Sequence, residues 1–126
     1  MNLRAVRPLL WTDKFEESID FYTSVLGFEI NSRNDEWGWA NLAKDDVEIM
    51  LSKPNTQSNF VKPAFTGSFY FSTDDVNKLW EEVRYQARVC YDIESFDWQM
   101  REFAIYDVNG YILQFGQHIN EIPGEK

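Results

Sequence analysis

The sequence predicts an α+β chain: two tandem βαβββ modules whose strands form a cup-shaped curved sheet with the helices outside. Three observations carry this. Runs rich in β-branched and aromatic residues, such as Val47 to Ser52 and Met100 to Tyr106, have the composition of strands, and Val47 to Ser52 alternates cleanly with a two-residue period. Two stretches repeat apolar residues at helical spacing, Phe15, Ile19, Tyr22 and Leu26, then Val76, Leu79, Trp80 and Val83. Sliding the first half by about sixty residues also sets Thr12-Asp13 on Thr73-Asp74, Ile19 on Trp80 and Leu51 on Phe115, a weak internal repeat too long for a solenoid. The modules are read as residues 1–58 and 64–126 of one domain spanning 1–126.

Leu3 to Trp11 reads as the first strand, with Pro8 tolerable near an edge or bulge because it has no N–H to give. Asp13-Lys14-Phe15-Glu16 has capping-box form, Asp13 accepting from first-turn amides and Glu16 reaching back. The helix that follows ends at Gly27, where a left-handed cap is wanted. Phe28 to Ser32 and Trp37 to Ala43 read as strands. Asp45-Asp46 turns the chain into Val47 to Ser52, whose Val47, Ile49 and Leu51 face the core and whose Glu48 and Met50 face away. Lys53 to Ala64, with its prolines and polar residues, reads as the linker. The pattern then begins again: a strand over Gly67 to Ser72, a helix start at Thr73-Asp74-Asp75, and a strand over Arg88 to Ile93.

The final stretch, Met100 to Gly116, reads as a hairpin around Asp107-Val108-Asn109-Gly110. With Asp107 opposite Tyr111 across a three-residue loop, Arg101, Phe103, Ile105, Tyr111, Leu113 and Phe115 share the face that packs on helices. Met100, Glu102, Ala104, Tyr106, Ile112 and Gln114 then share the other, which lines a ligand cavity or stands in solvent. A four-residue loop would swap the faces of Met100 to Tyr106.

A chain of 126 residues with 17% aromatic content can build one sizeable core without disulfide or structural metal. The lone Cys90 has no partner for an intramolecular bridge, and neither a signal-peptide pattern nor a long apolar run is read, so the expectation is a reduced, soluble, cytoplasmic protein. Twelve basic against twenty-one acidic side chains give a net charge of −9, which disfavours nucleic acid and anionic membranes as partners.

Ser18-Ile19-Asp20-Phe21-Tyr22 and Leu26-Gly27-Phe28 of the first helix, with Asp107-Val108-Asn109-Gly110-Tyr111 of the last hairpin, resemble the vicinal oxygen chelate superfamily. That group holds glyoxalases, extradiol dioxygenases, fosfomycin-resistance thiol transferases and bleomycin-resistance proteins. The resemblance implies ligand positions on the cup side of the first and last strands of each module. Here those positions are Arg7, Met50 or its same-face neighbour Glu48, Ser68 and Gln114. The set suits a metal poorly: arginine repels a divalent cation, and serine and methionine are weak partners for hard or borderline ions. No metal and no cofactor is expected, and the sole His118 is read as a surface residue.

Trp98, Tyr70, Tyr106 and Phe60 could stack on a flat or cationic ligand or simply fill the core. Glu48, Glu102, Met100, Arg7, Ser68 and Gln114 would complete the lining. Glu48 and Glu102 could do acid/base work, and an ion pair of such a carboxylate with Arg7 is an equal reading. Together with Trp37-Gly38-Trp39 and Trp98 to Phe103, these features resemble the metal-free bleomycin-resistance branch. The resemblance implies a homodimer that sequesters a small cationic or aromatic ligand without chemistry. The alternative is a metal-dependent lyase or dioxygenase of the same superfamily.

Overall fold

The computed structural model of this chain describes residues 2–54, 60, 62–64 and 67–124. The chain divides into two compact units, Met1–Lys62 and Pro63–Lys126. Of the expected linker, residues 55–59 and 61 lie outside the described residues.

Module one is a four-stranded sheet in the order β1-β4-β3-β2, built from β1 (Leu9–Trp11), β2 (Glu29–Asn34), β3 (Trp39–Lys44) and β4 (Val47–Ser52). β1 runs parallel to β4, and the β2, β3 and β4 pairings are antiparallel. The first strand is shorter than the expected Leu3 to Trp11. Pro8 donates nothing and only its carbonyl takes the Met50 amide, while Leu3 and Val6 stand exposed with no sheet to bury them.

Helix α1 (Phe15–Asp20) passes into a π-helical turn, Phe21–Val25, and Gly27 closes it at φ 77°. Phe15, Ile19, Tyr22 and Leu26 are all buried, as the helical spacing predicts. The expected capping box is not formed. Lys14 sits at the N-cap with no side-chain bond, and the fully buried Thr12 takes the capping role: its Oγ1 accepts from the Lys14 amide at 2.9 Å and pairs with the Ser18 hydroxyl. Glu16 is instead held by Arg33 at 2.6 Å, which leaves nothing to reach back.

Module two repeats the plan in the order β5-β8-β7-β6, with β5 (Phe69–Ser72), β6 (Arg88–Ser95), β7 (Met100–Tyr106), β8 (Ile112–His118) and helix α2 (Val76–Val83). Asp75 caps α2 by accepting from the Lys78 amide, and Val76, Trp80 and Val83 are buried against the sheet. Trp80 meets Phe103 at 5.1 Å between ring centroids, and Phe103 stacks on Phe115, which stacks on Phe71. Each large side chain so buried contributes about 1.5–3 kcal/mol.

The repeat holds at the level of hydrogen-bond register. Leu10 is opposite Leu51 as Phe71 is opposite Phe115, and Ala40 is opposite Leu51 as Phe103 is opposite Phe115. Each module also carries a bulge in its third-ranked sheet pairing, between Ile30 and Ser32 in β2 and between Val89 and Tyr91 in β6. The last hairpin takes the three-residue loop: the Asp107 amide donates to the Tyr111 carbonyl, and Asp107 Oδ1 accepts from the amides of Asn109, Gly110 and Tyr111. Phe103, Ile105, Leu113 and Phe115 therefore share the buried helix side. No helix among the described residues is long and apolar enough to cross a membrane.

Candidate functional site

The opposite face of module two gathers a polar cluster around one carboxylate. Glu102, on β7, is only 3% exposed. Its Oε1 accepts from the Tyr70 hydroxyl at 3.0 Å and from the Trp98 indole N–H at 2.9 Å, and its Oε2 accepts from the Tyr91 hydroxyl at 2.5 Å. Behind Tyr91 the chain of bonds continues: Gln114 Nε2 donates to the Tyr91 oxygen at 2.9 Å, and Ser68 donates to Gln114 Oε1. No lysine or arginine among the described residues forms an ion pair with Glu102. A buried carboxylate without a cation needs several donors, and here all of them are neutral.

Local structure explains each position. Tyr70 and Gln114 are register partners on parallel β5 and β8, and Glu102 is opposite Gly116. Gly116 is the floor on which Tyr70 lies: a Cβ there would fall 1.8 Å from the Tyr70 hydroxyl. Trp98 comes from the loop between β6 and β7, closed by the Gln99 amide on the Phe96 carbonyl with Gln99 at φ 70°. That loop stacks Phe96 on Trp98, centroids 4.6 Å apart and planes 8° from parallel.

Burial, and then the bond and the charge of Glu102, push the Tyr91 hydroxyl up to about 12 and raise Tyr70 further. Both phenols therefore stay protonated donors across the neutral range.

Module one holds a different cluster. Arg7, just before β1, pairs with Glu48 at 3.0 Å, and Asn41 Nδ2 donates to the other Glu48 oxygen at 2.8 Å. The Asn41 amide, opposed by burial and helped by Arg7, holds the Glu48 carboxyl below its ordinary range. The ion pair expected of Arg7 thus forms with Glu48.

Of the residues read from the sequence, Ser68, Tyr70, Trp98, Glu102 and Gln114 come together in one cluster, and Arg7 and Glu48 in another. Met50 lies on the same side of β4 as Glu48, opposite the side of the buried Ile49 and Leu51. Phe60 sets its ring edge-on to Trp11 at 6.1 Å. Met100 is opposite His118 at the far end of β7, and His118 Nδ1 accepts from the Asn120 amide. Tyr106 shares the face of Glu102 but sits under the Arg88 guanidinium, 4.5 Å from its ring. Cys90, the inserted residue of the β6 bulge, raises the Tyr106 hydroxyl through a hydrogen bond.

Tyr91 and Asn41 were not singled out in the sequence. Asn41 carried a signal, a polar residue alternating with the buried Ala40 and Leu42. Tyr91 carried none, because the bulge at Cys90 turns it from the face that simple alternation assigns.

The carried-over positions do not fit a divalent metal. Arg7 is itself cationic and occupies Glu48, Ser68 donates to the oxygen that Gln114 would offer, and Met50 gives a soft sulfur. Among the described residues no group of three or more His, Cys, Asp or Glu side chains could hold a metal ion.

Comparison with known proteins places these sites in a family context. The sequence model of the Glyoxalase/Bleomycin resistance protein/Dioxygenase superfamily matches residues 4–115. Among solved structures the chain is similar to TioX from Micromonospora sp. ML1, at 16% identity and a TM-score of 0.71, covering 90% of this chain and 99% of that one. It is also similar to a glyoxalase/bleomycin resistance protein/dioxygenase from Nocardioides, at 18% identity and TM-score 0.70, covering 99% and 89%. A lactoylglutathione lyase from Agrobacterium tumefaciens aligns at 14% identity and TM-score 0.69, covering 98% and 99%. Identities this low speak for the fold alone. No match was found among curated proteins.

Proposed function

This chain belongs to the Glyoxalase/Bleomycin resistance protein/Dioxygenase superfamily, and on that premise we propose that module two binds a small cationic aromatic molecule at Glu102 and holds it without chemistry. The observation that carries the reading is the buried Glu102 carboxylate, held by three neutral donors and, among the described residues, by no lysine or arginine. A ligand cation supplies the opposite charge that these neutral donors lack. The exposed indole of Trp98 gives the ligand a flat surface beside it. Within the superfamily this is the behaviour of the metal-free bleomycin-resistance-like branch, in keeping with a donor set ill suited to a metal.

The test is a calorimetric screen of cationic aromatic compounds, bleomycin-type glycopeptides included, against the parent and Glu102→Gln. A hit is expected whose affinity weakens with added salt, since the net charge of −9 favours attraction. Glu102→Gln keeps the shape and removes the charge, so affinity should fall by about 1.5–3 kcal/mol while the protein stays folded. Tight binding only to anionic or thiol-bearing metabolites, with turnover, would overturn the proposal in favour of a lyase or dioxygenase.

A further inference from the structure

We infer that the ligand meets Glu102 through N–H groups: its cation is an amine, amidine or guanidine, not a quaternary ammonium, and its ring lies on the open face of Trp98. This rests on the cation-binding reading above and narrows it to one chemical class.

The inference follows from the direction of each proton. An indole N–H can only donate and a carboxylate can only accept, so Trp98 and Glu102 fix the polarity of the whole network. The single hydroxyl protons of Tyr70 and Tyr91 are committed to Glu102. One Gln114 N–H is committed to Tyr91 and the Ser68 proton to Gln114. Apart from the second N–H of Gln114, what remains to offer a visitor is acceptors: lone pairs on Tyr70, Tyr91 and Ser68, and the unused direction at Glu102 Oε2, which takes one donor where Oε1 takes two.

The aromatic geometry points the same way. A trimethylated cation is held by ring faces, but Tyr70, Tyr91 and Trp98 turn their polar edges to Glu102, because those edges carry the donating O–H and N–H. The charge at this spot is also more than one carboxylate. Glu94 is the register partner of Glu102 across β6 and β7, and neither forms an ion pair with a lysine or arginine among the described residues. Like charges placed opposite each other on a sheet repel, and a cation with several N–H groups relieves both.

Entry is through the exposed cover. Tyr70 is 44% and Trp98 60% exposed, so the cluster is reached from solvent on their side, with their bonds to Glu102 kept. Phe96 covers one face of Trp98, leaving the other for the ring of the ligand.

Three probes of one skeleton test this by calorimetry on the full chain: naphthylmethylammonium, its N-trimethyl analogue and naphthylmethanol. The expected result is that the primary ammonium binds at least about tenfold tighter than the trimethyl compound, the factor that one charge-assisted hydrogen bond supplies. Glu102→Gln, verified as folded by circular dichroism, should erase that preference. A trimethyl compound binding as tightly as the primary ammonium overturns the N–H inference while leaving the cation reading intact. Equal binding of the neutral alcohol, or no binding by any of the three, overturns the cation reading itself.

Discussion

Tyr91 owes its place to one inserted residue. Val89 is opposite Ile105 on the helix side, and strict alternation would send Tyr91 there too. The extra Cys90 instead sets Tyr91 opposite Ala104, on the side of Glu102. No residue type in Arg88 to Ile93 announces a bulge, so this member of the cluster was illegible in the sequence. Glu102 was legible, because the Asp107 to Gly110 loop fixes an unbroken register through β7 and β8. The Tyr91 hydroxyl gives a test of the cluster by pH. Its folded value, about 12, lies above the ordinary tyrosine value of about 10. The folded state therefore holds the proton more tightly, and the stability so gained is complete below about pH 10 and lost as pH rises to about 12. In urea titrations, the stability advantage of the parent over Tyr91→Phe should be constant through neutral pH and shrink across that window. A gap that stays flat to pH 12 would show that Tyr91 does not carry the shift.

At the level of elements, helix positions and strand faces followed from periodicity, whereas ends and caps did not. Capping-box spacing at Asp13 and Glu16 was present in the sequence, yet Thr12 does the work, because it lies buried where β1 delivers the chain to α1. Thr12→Val keeps the shape and removes both the acceptor for the Lys14 amide and the partner of Ser18, so it should cost about 1–2 kcal/mol. Asp13→Ala, which removes an exposed side chain that caps nothing, should stay within about 0.5 kcal/mol of the parent. Chemical denaturation of the two variants decides it, and a reversed order would restore the capping box. The Phe96 to Gln99 loop is a similar case. Trp98 was legible as a candidate, but its aim at Glu102 depends on the left-handed Gln99, a conformation that no glycine or asparagine advertised.

For the whole molecule, each four-stranded sheet ends in strands whose outer hydrogen-bonding groups the sheet itself does not pair. We expect a homodimer, and light scattering that returns the 14.9 kDa monomer mass at micromolar concentration would refute it. Leu9, Met50, Ser52, Trp39 and Ser32 occupy in module one the ladder positions that Tyr70, Gln114, Gly116, Glu102 and Tyr91 hold in module two. The bulge beside Ser32 even reproduces the one that re-aims Tyr91. The backbone is thus a chassis used twice and furnished differently: Arg7, Asn41 and Glu48 fill in module one the face that Glu102 and its donors fill in module two, and a graft of those module-two side chains has to bring the Trp98 loop and remove the Arg7–Glu48 pair before the altered chain takes up a second ligand.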